Sequence, residues 1–433
     1  MSQNKIYQEK AHKYIPGGAH TYSRGDDQYP LNAPPVLEKG KGCYVWDVDG
    51  NMFLDYGMAL RAVTVGYGYE KIARAAINAI YDGNNLTRAS KTEVEAAEEM
   101  AGLIDEMDMV KFGKNGSTVT SAAVKLARAY TGRKYVARCA QHPFFSYDDW
   151  FIGDTLMSSG VPEDTKNLTI QFDFNDIASV ERMFSRYPDQ ISCVILEPAT
   201  TVEPQYDFLH KLRDLCKKNG TVFILDEMIT GFRWDLKGAQ HYYGIVPDMC
   251  TFGKGMANGF SVAALLGKKE FMNLGGLSHD RERVFLISTT HGAEMCGMAA
   301  LKETISTYKE LNVVGHLWEY GAKLSNGMNG ISRELGIEDK FYVEGTAASP
   351  NYICKDNSGG TSLEFRTLFS QEMIKNKVLM PWIALSYSHT QKELDITLDA
   401  VRKALVVYKK ALDEGIGKYL EGRPIKPVFR KFN

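Results

Sequence analysis

The spacing of apolar residues changes several times along the chain, and each change predicts a different element. Residues 42–56, GCYVWDVDGNMFLDY, alternate apolar and polar residues on both sides of Asp49-Gly50. A period of two residues is typical of a strand with one buried face, and Asp-Gly readily takes the positive φ angles of a tight turn. This stretch is predicted to form a β-hairpin.

Helical spacing begins at Tyr69. It runs through YEKIARAAINAIYDG, then KTEVEAAEEMAGLIDEM, and later TSAAVKLARAYTG. Gly83 and Gly132 follow the first and the third of these segments, where a glycine commonly ends a helix. The pattern predicts three helices in this part of the chain.

Short apolar runs follow, separated by helix-like segments such as FLHKLRDLCKKNG. The runs are SCVILEP, TVFILDE, DMCTFGK and VAALLG. Runs of this length without polar alternation favour strands buried on both faces, as in a parallel sheet covered by helices. The middle of the chain is therefore predicted to be α/β.

From about Leu311 two long helical segments flank a shorter β-like part, which indicates a separate α+β lobe. We predict an N-terminal segment with the hairpin at 1–68, as part of the small domain. A large α/β domain follows at 69–310, and a C-terminal α+β domain at 311–433. No linker, low-complexity tract or internal repeat is visible in the sequence.

Composition limits the class of partner. The 433 residues are 44% hydrophobic and 24% charged, with a formal net charge of −2. Binding to nucleic acid or to a membrane surface depends on a basic excess, which this chain lacks. No apolar run approaches the roughly 20 residues that span a bilayer, and the N-terminus is polar where a secretory signal would be apolar. We predict a cytoplasmic protein whose partners are small molecules.

Metal and disulfide chemistry are not indicated. The seven cysteines are odd in number, widely spread and never arranged as C-x-x-C, and the nine histidines show no H-E-x-x-H pattern. Neither a disulfide framework nor a zinc site follows from such spacing. No bound metal is predicted.

Candidate chemistry comes from Asp226 and Lys254, each of which follows a predicted buried strand. In open parallel sheets, functional groups gather at the carboxyl ends of the strands, so both side chains are expected in one crevice. A plain salt bridge beside a loop is the alternative. The sequence FGKG leaves the lysine without bulky neighbours, which permits a flat ligand to approach.

A desolvated lysine forms a Schiff base with a carbonyl group. Pyridoxal 5'-phosphate is the cofactor that uses such a lysine, and it also needs an acidic partner for its ring nitrogen. Lys254 and Asp226 would supply these two groups. Neither G-x-x-x-x-G-K-[ST] nor a strand-following G-x-G-x-x-G occurs in a suitable context, which argues against an ATP- or NAD-binding enzyme. A protein that had lost the activity of such an enzyme would be expected to lose the lysine or the acid as well, and this chain has both.

The string ILDEMITGFR…GAQHYYGIVPDMCTFGKG resembles the signature of class III (fold-type I) pyridoxal-phosphate aminotransferases, and is closest to glutamate-1-semialdehyde 2,1-aminomutase-like enzymes. The resemblance extends to IPGGAHTYSRG, EKGKGCYVWDVDGNMFLDY, MDMVKFGKNGSTVTSAAVKLARAYTGR, ILEP and GRPIKPVF. It implies a fold-type I transferase with a mostly parallel central sheet covered by helices. It also implies a homodimer.

The resemblance assigns further site residues. Asn115, Gly116 and Ser117 match the phosphate loop, with a plain Ser/Thr helix cap as the alternative, and the family's acid is Thr118 here. Phe144 falls where an aromatic ring lies over the pyridine, with core packing as the alternative. The remaining assignments are Met228 on the other face of the ring, Thr290 reaching the phosphate of the neighbouring subunit, and Arg24 receiving a substrate carboxylate.

The implied reaction is transamination through the Lys254 Schiff base, in which the freed lysine moves a proton between substrate and cofactor. The amino group passes from an amine or amino acid to a carbonyl acceptor through the aminated cofactor. Intramolecular transfer, as in the aminomutase, is the alternative. The family's Phe-Glu-Ala is replaced by WIALS at Trp382 to Ser386, and its Thr-Leu-Ser-Gly-Asn by TTHGAE. These departures favour an aminotransferase with another substrate, and they leave donor, acceptor and stereochemistry open.

Overall fold

The computed structural model describes residues 2–432, which form two compact units. The first unit comprises residues 2–69 and Gly315–Arg430; the second comprises Glu70–Val314 with residues 431 and 432. The N-terminal and C-terminal parts of the chain thus belong to one unit, and the middle belongs to the other.

The strands are β1 Leu37–Lys41, β2 Tyr44–Asp47, β3 Met52–Asp55, β4 Met109–Gly113, β5 Tyr135–Cys139, β6 Thr169–Phe172, β7 Ile191–Leu196, β8 Val222–Asp226, β9 Met249–Phe252, β10 Ala263–Gly267, β11 Phe341–Glu344, β12 Asn351–Cys354 and β13 Val378–Leu379. The helices are α1 Gln3–Tyr14, α2 Met58–Arg61, α3 Glu70–Tyr81, α4 Lys91–Leu103, α5 Gly116–Thr131, α6 Asp149–Ile152, α7 Glu163–Lys166, α8 Ile177–Arg186, α9 Phe208–Lys218, α10 Ala239–Tyr242, α11 Lys269–Met272, α12 Met295–Leu311, α13 Val313–Glu334, α14 Leu363–Lys375 and α15 Gln391–Glu414.

The second unit is built on a seven-stranded sheet in the order β4-β10-β9-β8-β7-β5-β6. Every neighbouring pair from β9 to β6 is parallel, and only β10 runs antiparallel to its two neighbours, β4 and β9. All residues of β7, β8, β9 and β10 are buried, as continuous apolar runs require. Helices α5, α8 and α9 pack on this sheet. The predicted mostly parallel α/β architecture is confirmed.

The order of strands decides where the chemistry lies. Since β7, β8 and β9 are parallel neighbours, their carboxyl ends meet at one edge of the sheet. Asp226 is the last residue of β8, and it pairs in register with Thr251 on β9. Lys254 follows two residues after the end of β9.

The first unit holds the predicted hairpin. Strands β2 and β3 pair antiparallel, with Tyr44 opposite Leu54, and the turn between them contains Gly50 at φ 84°. The Asp47 carboxylate accepts hydrogen bonds from the backbone N–H of Asn51 at 2.7 Å and of Asp49 at 3.1 Å, which stabilises the turn. Strand β13 extends this sheet in parallel to β3, and β11 and β12 form a separate antiparallel pair.

Helix α5 is the element that matters most for the site. Asn115 caps its N-terminus, and Gly132 closes it in the left-handed conformation at φ 68°, as the position of this glycine predicted. Its length is 16 residues. Of the helices within residues 2–432, none combines the length and the apolar character needed to cross a lipid bilayer.

Candidate active site

Asp226 lies in a buried position at the carboxyl end of β8, and its side chain is 2% exposed. Its Oδ1 accepts hydrogen bonds from the backbone N–H of Met228 and from the hydroxyl of Thr251, both at 3.0 Å. Burial raises the pKa of this carboxyl to about 6, although the positive charge of Lys254 and the two hydrogen bonds lower it. A carboxylate in this state strongly favours a cationic partner.

Lys254 begins a short 3₁₀ turn just beyond β9. Its φ angle of 46° is in the left-handed region, which a residue with a side chain adopts at a cost in free energy. Strained residues of this kind concentrate at functional sites. The charge of Lys254 acts on Asp226, so the structure brings together the two residues singled out in the sequence.

Met228 connects this pair to the start of α5. A Cβ atom on Gly253 would lie 2.6 Å from the Met228 sulfur, and one on Gly116 would lie 3.0 Å from it. Both glycines therefore let the methionine pack directly on the backbone, on one side beside Lys254 and on the other at the first turn of α5. The lysine, the acid and the helix N-terminus converge around one buried thioether.

The N-terminus of α5 offers backbone N–H groups to a ligand. The side chain of Asn115 caps the helix by accepting from the backbone N–H of Thr118 at 3.0 Å, so the cap is an asparagine and not the serine or threonine of the alternative. A capped N-terminus still presents donors and the positive end of the helix dipole, which together favour a phosphate. Ser117 is buried, and its hydroxyl accepts from the backbone N–H of Tyr147 at 3.1 Å.

Phe144 lies on a loop that is fastened to α5. The hydroxyl of Thr120 donates to the backbone oxygen of Phe145 at 2.8 Å, and the hydroxyls of Ser121 and Ser146 are 3.0 Å apart. Phe145 is 2% exposed, whereas Phe144 is 47% exposed. Core packing therefore describes Phe145, whereas about half of Phe144 is exposed while its ring packs edge-on against buried Phe151, with the ring centroids 5.6 Å apart.

Thr290 and Arg24 stand apart from this cluster. Thr290 is exposed in a stretch without regular structure, and its backbone oxygen accepts from the side-chain amide of Asn85 at 3.1 Å. Arg24 is exposed and belongs to the first unit. The roles predicted for these two residues stay predictions.

Two buried residues beside the cluster escaped the sequence reasoning. Thr251 holds Asp226, and the signal for it was a hydroxyl inside the apolar run DMCTF. Glu227 is fully buried and accepts from the backbone N–H of Ala239 at 2.9 Å and of Gln240 at 2.7 Å, and burial raises its pKa to about 7. It fixes the segment that leads from Asp226 and Met228 to α10, and no motif in the sequence indicated this.

Comparison with known proteins shows which family the chain matches. Residues 25–339 match the family described as aminotransferase class-III. The chain is 30% identical to a glutamate-1-semialdehyde 2,1-aminomutase of Sulfurihydrogenibium sp. (strain YO3AOP1), over 92% of this chain and 97% of that protein. It is also 30% identical to a 3-aminobutyryl-CoA aminotransferase of Cloacimonas acidaminovorans (strain Evry), over 93% of this chain and 97% of the relative.

Solved structures show the same fold. The FumI protein of Sphingopyxis sp. MTA144, solved in a form that carries PLP, superimposes with a TM-score of 0.87 at 26% identity, covering 95% of this chain and 98% of that one. An omega-transaminase from Sphaerobacter thermophilus superimposes with a TM-score of 0.85 at 23% identity, covering 94% and 98%.

Proposed function

The chain belongs to the class-III aminotransferases, and from this premise we propose that it transfers an amino group between an amine or amino acid and a carbonyl acceptor, with Lys254 as the catalytic lysine. The family uses pyridoxal 5'-phosphate, which is the cofactor of this enzyme. The observation that carries the assignment of residues is the convergence of Lys254, Asp226 and the N-terminus of α5 around Met228.

The residues present fit this cofactor. Gly116 and Gly253 let Met228 pack closely between the lysine turn and the start of α5, which places an apolar side chain where the ring of the cofactor would lie. The N–H groups of α5 suit a phosphate, and the buried carboxylate of Asp226 suits a protonated ring nitrogen. When bound, the cofactor supplies an aldehyde carbon that amines attack and a ring that accepts an electron pair from the substrate.

Each residue then has a separate task. Lys254 would hold the cofactor through its side-chain amino group, and the same amino group would move a proton to and from the substrate. Asp226 stabilises positive charge on the ring nitrogen, and Thr251 and the backbone of Met228 hold the carboxylate in place. The cofactor would be held at its ring by Met228 and Phe144, and at its phosphate by Asn115, Gly116 and Ser117 of the helix N-terminus.

Transfer between two molecules is favoured over the intramolecular alternative. The position that carries an acid near the substrate in aminomutase-like enzymes falls within WIALS. There Ile383 stands at the position of the acid and is fully buried, so an apolar side chain replaces a carboxylate. Relatives of both activities lie at the same identity, and this local difference supports the aminotransferase.

The partners proposed are small amines and carbonyl compounds, with Arg24 as the anchor for a substrate carboxylate. We also propose a cytoplasmic homodimer in which Thr290 reaches the phosphate of the neighbouring subunit. The exposure of the Thr290 side chain in a single chain is compatible with such a contact.

The decisive experiment maps the covalent bond. The purified enzyme is loaded with pyridoxal phosphate, treated with sodium borohydride and digested, and the modified peptide is identified by mass spectrometry. Modification is expected at Lys254 and should be absent from Lys254→Ala, while Lys268→Ala, which loses a lysine paired with Asp248, should keep it. Labelling of another lysine, or full turnover by Lys254→Ala, contradicts the assignment.

The two outcomes of transfer are separated with a panel of amines. A donor that changes the visible spectrum of the loaded enzyme, together with a different acceptor that restores it, establishes an aminotransferase. A single compound that both changes and restores the spectrum would favour the aminomutase.

A further inference from the structure

The first unit contains a cavity of about 710 Å³, and every residue that lines it belongs to that unit. Its walls are largely aromatic and apolar, with Tyr29, Tyr67, Leu60 and Trp382 among them. Sites for compounds of drug size occupy roughly 300–1,000 Å³, so a keto acid of six heavy atoms would leave most of this space empty. The cavity therefore suits a ligand with a bulky apolar body.

The charges around this cavity favour an anion. Its two carboxylates are engaged: Asp26 pairs with His12 at 2.7 Å, and Asp55 is buried among donors. Arg24 also lines the cavity, and its charge acts on the phenols of Tyr29 and Tyr67. Across residues 2–432 the structure gives Arg24 no carboxylate partner. A guanidinium that has no carboxylate partner within the protein can bind the carboxylate of a ligand through two parallel hydrogen bonds.

One wall of the cavity is α2, which is a left-handed turn. Its four residues have φ angles of 39°, 49°, 62° and 68°, and none of them is glycine. Each of these residues costs free energy in the left-handed region, because its Cβ atom approaches the following carbonyl oxygen. Such a turn persists only where its surroundings enforce it. Ala59 and Leu60 of this turn line the cavity.

The buried carboxylate of Asp55 enforces the turn. It accepts hydrogen bonds from the backbone N–H of Gly57 at 2.7 Å and of Met58 at 3.0 Å, and from the hydroxyl of Tyr67 at 2.8 Å. Trp382 contributes from the other side by donating to the backbone oxygen of Gly57. The peptide between Gly57 and Met58, which leads into the turn, is thus held at its oxygen by Trp382 and at its N–H by Asp55.

We propose that this cavity receives the body of the substrate, a carboxylate with a bulky apolar or aromatic group, and that Asp55 is a positioning residue that maintains the left-handed wall. The inference rests on the proposed function, since it takes Arg24 as the carboxylate anchor. It adds to that function the class of substrate and the left-handed turn that shapes the substrate site.

The test uses 4-phenylbutanoate, which has neither an amine nor a reactive carbonyl, and measures its dissociation constant with the full-length loaded enzyme by calorimetry. The acid should bind at least tenfold more tightly than propanoate and than neutral 4-phenylbutanamide. Arg24→Gln should remove the preference for the acid over the amide. Equal binding of 4-phenylbutanoate and propanoate overturns the proposal.

The wall is tested by second-site rescue. Asp55→Asn should weaken binding of the probe about tenfold, and Ala59→Gly added to it should restore binding, because glycine adopts the left-handed conformation without the Cβ penalty. Ala62→Gly is the matched control, since Ala62 follows the turn at φ −87°. Equal rescue by both glycines refutes the positioning role. If Asp55→Asn does not fold, the same pair of glycines is compared on Tyr67→Phe, which removes one of the three donors.

Failure of this inference is distinguishable from failure of the proposed function. The borohydride label at Lys254 reports on the catalytic lysine and should survive in Arg24→Gln and Asp55→Asn. A correct label with no preference for the bulky acid rejects the cavity alone, whereas a label at another lysine rejects the assignment of Lys254.

Discussion

Asp226 shows how one residue can combine a cost in stability with the chemical task proposed for it. A fully buried carboxyl group is held in position by Thr251 and by the backbone of Met228, and its pKa is raised to about 6 because burial disfavours its charge. In the cofactor-free protein this buried charge therefore lowers the free energy of unfolding. The same charge becomes useful when a cationic ring nitrogen lies against it.

Replacing Asp226 with Asn should stabilise the cofactor-free protein at neutral pH. The folded pKa lies above the ordinary value of 3.8, so the stabilising contribution of the carboxyl is complete below about pH 3.8 and is lost as the pH rises through 6. Above that range the cost reaches about 3 kcal/mol, and asparagine avoids it while keeping the acceptor oxygen. Urea unfolding from pH 4 to pH 7.5 should show that the free energy of unfolding of the variant increases relative to that of the wild type as the pH rises.

The turnover of Asp226→Asn should fall by roughly 10- to 150-fold, which corresponds to the free energy of a hydrogen bond to a charged group.

Thr251 supplies the control for this prediction. Thr251→Val removes a hydrogen bond that lowers the pKa of Asp226 and should move the pH window upward, whereas Thr251→Ser keeps the hydroxyl and should leave the window in place. A stability difference between Asp226→Asn and wild type that does not change with pH would mean that the carboxyl does not titrate in this range.

The sequence singled out Asp226 and Lys254 as candidates but not Thr251 and Glu227, and the reason is physical. An acid at the end of an apolar run stands out in the one-dimensional pattern. Which strand lies next to which is decided by packing over long separations, so the pairing of Asp226 with Thr251 is visible only in the folded sheet. The burial of Glu227 likewise depends on α10, twelve or more residues further along the chain.

Among the elements, periodicity predicted the hairpin of β2 and β3 and the end of α5 at Gly132, but α5 begins at Gly116, four residues before the predicted helical segment. It did not predict the direction of β10, because a continuous apolar run has the same appearance in a parallel and an antiparallel strand. Nor did it indicate the left-handed turn α2. The sequence MALR favours an ordinary helix, and hydrogen bonds from outside the turn reverse that preference.

The junction between the lysine turn and α5 gives a prediction at the scale of elements. Gly253→Ala should displace Met228, because the new Cβ would lie 2.6 Å from the sulfur, and it should weaken cofactor binding at least tenfold. The effect is steric alone, since the φ angle of Gly253 is −176°, which any residue adopts. Cofactor titration monitored by visible absorbance measures it. Shortening the partner with Met228→Ala should relieve the clash, so the two changes together should cost less than their sum.

Gly102→Ala is the matched control for Gly253→Ala. Gly102 lies inside α4 with open space around the position of a Cβ atom. Alanine there should leave cofactor binding unchanged and stabilise the protein by up to about 1 kcal/mol. Independent, additive effects of Gly253→Ala and Met228→Ala would show that the methionine does not link the two elements.

At the scale of the whole molecule, the second unit holds the lysine and the acid, and its Thr290 side chain is exposed in the single chain. A residue that serves a neighbouring subunit has this property, because its ligand lies outside its own chain. In a two-fold symmetric dimer, each site would then combine Lys254 of one protomer with Thr290 of the other.

This arrangement predicts complementation between two impaired variants. Lys254→Ala and Thr290→Ala are unfolded together, refolded as a mixture and assayed at limiting cofactor. If Thr290 acts across the interface, each mixed dimer contains one site with both native residues, and random pairing should restore roughly one quarter of the wild-type activity. If Thr290 acts within its own chain, every site in the mixed dimer lacks one of the two residues, and mixing restores nothing. Light scattering on the separate variants establishes beforehand that both are dimers, so an absence of recovery counts against the cross-subunit role itself.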